Sequence, residues 1–222
     1  MQLRTIAISA VAAIVVAGCG EAANSQSNGA TDTVADTEAA AGFDAISGEY
    51  KTDPRHRYIT FSYFHQGFSR PWVRWRNWDA VLDWDAEEPE ASSVSVTIDA
   101  TSVDSGVDVF DEHLQGERFF DTANHPEITF ESTSLTKTGD ATGTMTGDLT
   151  IKGITKPVTL DVTYNNSAFS ERGNEYKIGF SAKGSVNRSE FGMDYLVPVT
   201  SDEVEIVIEA EFEMPAEEPA EE

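Results

Sequence analysis

Apolar and polar residues alternate with a period of two along most of the chain. Ile59, Phe61, Tyr63 and His65 alternate with Thr60, Ser62 and Phe64, and Val94, Val96 and Ile98 with Ser93, Ser95, Thr97 and Asp99. Ile128 and Phe130 alternate with Thr129 and Glu131, and Ile178, Phe180 and Ala182 with Gly179, Ser181 and Lys183. The longest run sets Val204, Ile206, Ile208, Ala210 and Phe212 against glutamates and Val207. Successive strand side chains point to opposite faces, so each segment predicts a half-buried strand, apolar within and polar without. Turn chemistry separates these segments at Glu88-Pro89, Lys137-Thr138-Gly139-Asp140 and Glu171-Arg172-Gly173-Asn174. Many such strands joined by short turns predict an antiparallel sandwich or barrel.

One hairpin is written compactly between Asp148 and Val162. Leu149 and Ile151 precede the stretch Lys152–Pro157, and Val158, Leu160 and Val162 follow it. The stretch predicts a break between two strands, with Gly153 and Pro157 turning the chain and Ile154 tucked under the turn. A different period appears from Asp108 to Asp121, where Val109, Phe110, His113, Leu114 and Glu117 fall near helical spacing. Gly116 limits that segment to a helix of about two turns, lying across one end of the sheet or barrel.

The body between residues 47 and 213 holds roughly 165 residues, enough for one domain with a sizeable core. The start of the chain is organised differently. Arg4 precedes an apolar run from Ile6 to Val16 and then small residues, the layout of a secretory signal and too short to span a bilayer as a helix. It ends in Val16-Ala17-Gly18-Cys19, which resembles the cleavage box of bacterial lipoproteins, where the cysteine becomes the acylated first residue. Cys19 is the chain's single cysteine and has no disulfide partner. Residues 1–18 therefore read as a lipoprotein signal peptide and Cys19 as a lipidation site, whose acyl chains would hold the protein on a membrane. Gly20 rather than Asp follows, which by resemblance to Gram-negative lipoproteins points to the periplasmic face of the outer membrane. Residues 19–46 read as the acylated cysteine plus a flexible acidic tether, and residues 214–222 as a disordered, Pro-broken acidic tail.

Charge narrows the function. The formal net charge is −24, and an acidic surface repels phosphate backbones and anionic headgroups. This argues against nucleic-acid binding and against docking on a bilayer through a basic patch. No run of acids has calcium-loop spacing, and the four histidines, His56, His65, His113 and His125, lack zinc-ligand spacing. There is no Gly-x-Ser-x-Gly elbow and no unmodified cysteine nucleophile. We expect no metal, no catalytic residue and no covalent cofactor beyond the lipid anchor.

Aromatic residues are concentrated in one place. Tyr58, Phe61, Tyr63, Phe64, Phe68, Trp72, Trp75, Trp78 and Trp84 fall within 27 residues, including all four tryptophans. An eight-stranded barrel is just wide enough to be filled by side chains or to hold one small ligand, and large rings fill it incompletely.

Six stretches, in order, resemble the YceI-like family, described as polyisoprenoid- or lipid-binding. They are Asp53–Ser69 with its His-x-Gly-Phe, Trp78–Gly106, Asp111–Thr133 with its Phe-Phe-Asp turn, Gly147–Val162, Gly184–Met193 and Ser201–Phe212. The resemblance covers essentially all of residues 47–213. It implies an antiparallel eight-stranded lipocalin-like barrel with a short helix near one end. It further implies an elongated apolar channel holding an isoprenoid lipid, such as a polyisoprenoid or an isoprenoid quinone, in a periplasmic or secreted setting, and it is compatible with a homodimer. The chain departs from the family where Val73-Arg74-Trp75 and Ala80-Val81-Leu82 stand at positions that commonly read Gly-x-Phe and Gly-x-Leu. Larger groups there would narrow the channel or reshape its mouth.

Parity along the strands then gives a ligand set. If Phe61 faces inward, so do Ile59, Tyr63 and His65, and by the same logic Leu149, Ile151, Val158, Leu160, Phe180, Ile206 and Ile208. The lipid-binding candidates are Phe61, Tyr63, His65, Phe68, Phe120, Phe130, Leu149, Ile151, Phe180 and Phe191, with Trp72 and Trp75 at the channel mouth. His65 is either a buried structural hydrogen-bonder or a group that meets a quinone carbonyl or lipid hydroxyl. Arg74 and Arg76 either pair with Asp79, Asp83 or Asp85 or bind a polar headgroup. The expected function is an envelope carrier, storage or sensing protein for an isoprenoid-type lipid. Two alternatives stay open: a structural or partner-binding lipoprotein with a packed barrel, and a barrel enzyme using His65 with a distant carboxylate.

Overall fold

In the computed structural model, which describes residues 45–216, the alternating segments become ten strands and one α-helix. The strands are β1 (Gly48–His65), β2 (Trp72–Trp75), β3 (Trp78–Trp84), β4 (Ser93–Asp99), β5 (Val103–Asp104), β6 (Glu127–Lys137), β7 (Thr142–Ile151), β8 (Ile154–Ser170), β9 (Glu175–Asn187) and β10 (Thr200–Pro215); α1 is Asp108–Gln115. Eight of them, in the order β1-β10-β9-β8-β7-β6-β4-β3, pair antiparallel around a ring that closes between β3 and β1. Closure gives every one of these strands a partner on both sides along part of its length. The short β2 and β5 extend the sheet outside the ring, because β1 pairs β3 through Gly48–Lys51 and then β2 through Ile59–Ser62.

Strand β4 skips β5 and α1 to pair with β6. The intervening chain lies over one end of the barrel, where Phe110 and Leu114 of α1 wall an internal cavity. The helix ends at Gly116, as its sequence predicts, and buries Leu114; Val109, expected on its apolar side, is exposed.

The Asp148–Val162 hairpin corrects the predicted break. Its loop has two residues, Lys152 and Gly153, both with positive φ (52° and 71°), the primed turn that matches the twist of paired strands. Strand β8 starts at once with Ile154, which pairs with Ile151 and is exposed rather than tucked under. Pro157 lies inside the strand opposite Asp148 and makes no turn. Counting from the hydrogen-bonded closing pair, Pro157 falls at a non-hydrogen-bonded position, and β9 joins β8 only from Asp161 onward. Its missing N–H therefore faces an unpaired edge, where proline is tolerated. At the far end of the chain β10 continues through Met214 and Pro215, which pair with Tyr176 and Glu175, so the ordered ladder runs two residues past the boundary set by composition.

A charged cluster braces the outside of the wall where the register of β1 slips between Thr52 and Arg57. Asp53 is fully buried and accepts hydrogen bonds from the Arg55 backbone N–H (2.9 Å), Arg55 Nε (3.0 Å) and Lys177 Nζ (3.3 Å), and shares one with His56 Nδ1 (2.9 Å). Glu211 joins them, its carboxylate 3.6 Å from His56. Both Asp53 oxygens are engaged by these neighbours, which makes the cluster a salt-bridge network. Burial alone would raise the Asp53 pKa, but the hydrogen bonds from Arg55, His56 and Lys177 outweigh it and hold the carboxyl well below the usual carboxylate range. A carboxyl depressed in the folded state contributes stability that is complete above its unfolded pKa of about 4 and is lost as pH falls below that. Asp53→Asn should cost about 2–3 kcal/mol at neutral pH and give a shallower loss of stability between pH 4 and pH 2. Denaturant titrations at pH 7, 4 and 3 measure both; parallel pH profiles for the two proteins would contradict this role.

Candidate functional site

The inward faces of the ring enclose three cavities in line. The middle one, of about 160 Å³, is walled by apolar side chains from all eight ring strands, with Ser93 at its exposed rim as the one side chain that is not hydrophobic. An apolar cavity of about this size stays dry and accepts an aromatic-sized guest. Toward one end it meets a wider mouth of about 490 Å³, with which it shares Trp84, Leu135, Met145, Val162 and Phe180, and which is rimmed by Glu87, Glu90, Lys137 and Asp140. Toward the other end lies an upper chamber of about 160 Å³ under α1, which shares Trp75, Ile151 and Ile206 with the middle.

Aromatic rings stand at both junctions. Phe61, Trp75 and Phe120 have centroids 4.7 to 5.9 Å apart where the middle cavity meets the upper chamber. Trp84, Tyr164 and Phe180 lie 5.5 to 5.9 Å apart at the junction with the mouth. The indole N–H groups of Trp75, Trp78 and Trp84 are buried without a hydrogen-bond partner in the protein.

The upper chamber carries more polar chemistry. Arg188 is buried and donates to four backbone carbonyls, from Nε to Ser201 (2.9 Å), from Nη1 to Met193 (2.6 Å) and Tyr195 (2.9 Å), and from Nη2 to Thr200 (3.2 Å). It thereby pins the segment between β9 and β10 over the chamber. Burial pushes the Arg188 pKa down, against the pull of Asp202 and Asp194, and burial likewise pushes the Tyr63 phenol up.

Most of the parity assignments fall on the channel. Ile59, Phe130, Leu149, Val158, Leu160, Phe180 and Ile208 wall the middle cavity; Phe61, Tyr63, His65 and Phe120 wall the upper chamber; Trp75, Ile151 and Ile206 wall both. Three candidates do not. Phe68 sits in the β1–β2 turn at 86 % exposure, beyond the reversal at Gln66 and Gly67. Trp72 is half-exposed and borders a shallow hollow on the outer surface with Arg74 and Asp104. Phe191 is wholly buried, but the 3₁₀ turn Arg188–Phe191 carries it against β8 and β10, away from all three cavities.

His65 keeps its inward parity yet is exposed at the chamber's edge, 3.4 Å from the Gln66 side-chain nitrogen, and is not a buried hydrogen-bonder. Arg74 and Arg76 pair with neither Asp79, Asp83 nor Asp85. Both donate to Asp104 Oδ2 (2.8 and 2.9 Å), because β2 pairs with β5; the two guanidiniums pull the Asp104 carboxyl down to about 2. Asp79 instead pairs with Arg57. Of the two positions where glycine is common, Ala80 does place its methyl in the middle cavity, whereas Val73 is buried outside all three.

The parity list missed two walls, β4 and β3. Val94, Val96 and Ile98 of β4 line the middle cavity although their alternation is plain in the sequence. Trp78, Ala80, Leu82 and Trp84 of β3 all face the middle cavity, and their alternation with Asp79, Val81 and Asp83 would have shown it. Leu135 was invisible for another reason: a register slip between Ser132 and Ser134 inverts parity midway along β6. Cys19 lies outside the described residues.

Comparison with known proteins gives one answer. The model of the YceI-like domain matches residues 50–212. Protein YceI of Escherichia coli O6:H1 is 35 % identical over 169 residues, covering 75 % of this chain and 87 % of that protein. A UPF0312 protein of Pseudomonas putida is 36 % identical over 151 residues, 67 % of this chain and 78 % of its own length. Among solved structures, the Campylobacter jejuni YceI protein aligns with a TM-score of 0.62 at 31 % identity, covering 67 % of this chain and 88 % of that one. A polyisoprenoid-binding domain from Saccharophagus degradans shares the fold, with a TM-score of 0.58 at 13 % identity over 76 % of this chain and 99 % of its own. With the barrel, its strand order and its inward alternation all in place, this chain belongs to the YceI-like family.

Proposed function

We propose that the protein binds a long isoprenoid-type lipid, a polyisoprenoid or an isoprenoid quinone, within its channel, and serves the cell envelope as a lipid-anchored carrier, store or sensor. The observation that carries this reading is the middle cavity: dry in character, apolar on all sides, and flanked at both ends by further cavities. Affinity follows from area. Each five-carbon isoprenoid unit taken from water contributes about 4 kcal/mol, so three or four buried units exceed much of the roughly 4–15 kcal/mol cost of association. The name of the Saccharophagus degradans domain, which shares the fold, agrees with a polyisoprenoid ligand. The cavities also argue against the alternative of a dry, packed barrel.

Binding without catalysis fits the same residues. Among the described residues no carboxylate lies within ion-pair distance of His65, the one histidine on the channel wall. Acylation at Cys19 would place the barrel at the periplasmic face of the outer membrane, in reach of a lipid supply. Three tryptophans on the channel wall supply a direct readout. Adding an isoprenoid quinone should quench most of the intrinsic tryptophan fluorescence saturably, with Trp72 on the outer surface left as residual emission. Emission that stays unchanged at lipid concentrations well above the protein's would remove this function.

A further inference from the structure

The upper chamber reaches the surface between two segments that contain no Asp, Glu, Lys or Arg. One is Tyr63–Ser69, the end of β1 and its turn toward β2; the other is Tyr195–Ser201, which runs into β10. They lie side by side, since His65 pairs with Thr200 and the Phe64 N–H donates to Ser201 Oγ (2.8 Å). His65, Tyr195 and Leu196 both line the chamber and are exposed, so its opening lies among them. Phe64, Phe68, Tyr195, Leu196 and Val199 are exposed on these segments, Phe68 more than any other large apolar side chain among the described residues. The start of α1, over the same end, adds Val107 and Val109. Exposed apolar groups gathered in this way mark an interaction surface. The charges set this end apart from the other, where Glu87, Glu90, Lys137 and Asp140 rim the mouth. Here Arg70 lies over the Phe64 ring (5.9 Å) and the exposed Arg118 over the Tyr195 ring (4.5 Å). Of the acids that flank the two segments, Asp194, Asp202 and Glu205, Asp202 accepts hydrogen bonds from Ser189 (2.8 and 2.7 Å) and Glu205 pairs with Arg70 (2.7 Å). An arginine seated on a ring at the rim of an apolar surface can meet headgroup phosphates while the rings enter the acyl boundary.

We propose that this end of the barrel docks on a phospholipid bilayer and that the lipid chain passes between the bilayer and the upper chamber there. An isoprenoid chain is disfavoured in water by every carbon it exposes, so a face that seals the opening against the bilayer removes that barrier. Apolar area, not a basic patch, supplies the attraction. The anchor permits this orientation. Ala45 lies at the mouth, and the 26 residue steps between Cys19 and Ala45 extend to about 90 Å at most. The 18-residue β1, among the longest elements of the wall, extends to about 60 Å at most. A barrel tethered at its mouth end can therefore turn its far end onto the same membrane. This proposal rests on the lipid-binding reading above and adds where the lipid enters and leaves.

The test uses the mature chain from Cys19 onward, made without acyl chains, and phosphatidylcholine vesicles that carry an isoprenoid quinone. Flotation reads docking, and quenching of tryptophan fluorescence reads transfer of the quinone into the barrel. The double variant Phe68→Ser/Leu196→Ser removes two exposed side chains and should lower both vesicle binding and the transfer rate by about 10-fold or more. Phe169→Ser, an exposed apolar side chain at the opposite end, should leave both unchanged. Quinone added without vesicles should quench the double variant and the wild type to the same extent. Equal transfer rates for wild type and double variant, or a wild type that does not float with vesicles, overturns the docking and leaves lipid binding intact. A double variant that turns a dimer into a monomer while transfer is unaltered would make this face a contact between copies and also overturns it. No quenching of either protein, with or without vesicles, removes both readings.

Discussion

Replacing Ala182 with phenylalanine is expected to lower affinity for a long isoprenoid chain by roughly 100-fold or more while leaving the barrel folded. Ala182 lies on β9 between Val162 of β8 and Ile208 of β10, and its methyl faces the middle cavity. That cavity measures about 160 Å³, and a space of about 150 Å³ lined by similar side chains is filled by one benzene ring. A phenyl group at position 182 therefore takes the volume that a lipid chain needs to pass between the mouth and the upper chamber. Inserted bulk in a packed core usually costs about 1–3 kcal/mol, but here part of the ring enters empty space, so the loss of stability should lie at the low end. Thermal melts together with competition of an isoprenoid quinone against a fluorescent apolar probe separate the two effects. A variant that binds as tightly as wild type would show that the chain does not thread the middle cavity.

The largest loss of stability is expected at Gly147. It lies on β7 between Ser132 of β6 and Val158 of β8, and the Phe130 ring folds directly over it. A Cβ there would run into the Phe130 ring and lie 2.6 Å from the Glu131 carbonyl oxygen. The ring can shift, but the carbonyl belongs to the β6–β7 ladder and moves only with the backbone. Gly147→Ala should cost about 2–3 kcal/mol, and Gly147→Val about 5 kcal/mol, enough to abolish folding in a marginally stable domain. Urea denaturation of the alanine variant and the soluble yield of the valine variant measure this. A valine variant that melts with wild type would mean that β6 and β7 are further apart than the structure places them.

Both predictions depend on which way side chains face, and that was partly legible in the sequence. Alternation located the walls built from Ile59 to His65 and from Val204 to Phe212, because long strands with one apolar face permit a single register. It failed where the backbone changes phase. The positive φ at Gln66 and Gly67 reverses the chain, and so Phe68 and Trp72 lie outside despite their aromatic character. The slip at Ser132 inverts β6 and hides Leu135. Neither event has a one-letter signature. The partner of Arg74 and Arg76 was missed for a topological reason: Asp104 reaches them through the two-residue strand β5, too short to carry a pattern. Trp78 and Trp84 are different, since their alternation with acidic residues was visible; aromatic density drew attention to the segment but not to its phase.

A barrel that carries an isoprenoid lipid in its channel should still hold that lipid when the protein is isolated. Wild-type protein and Ala182→Phe, purified side by side without detergent, are extracted with organic solvent and the extracts compared by mass spectrometry. The wild type should yield an isoprenoid lipid in an amount approaching one molecule per barrel, and the plugged variant should yield little. Clean extracts from both proteins, together with no uptake of isoprenoid quinone added back to the wild type, would mean that the channel carries no such lipid.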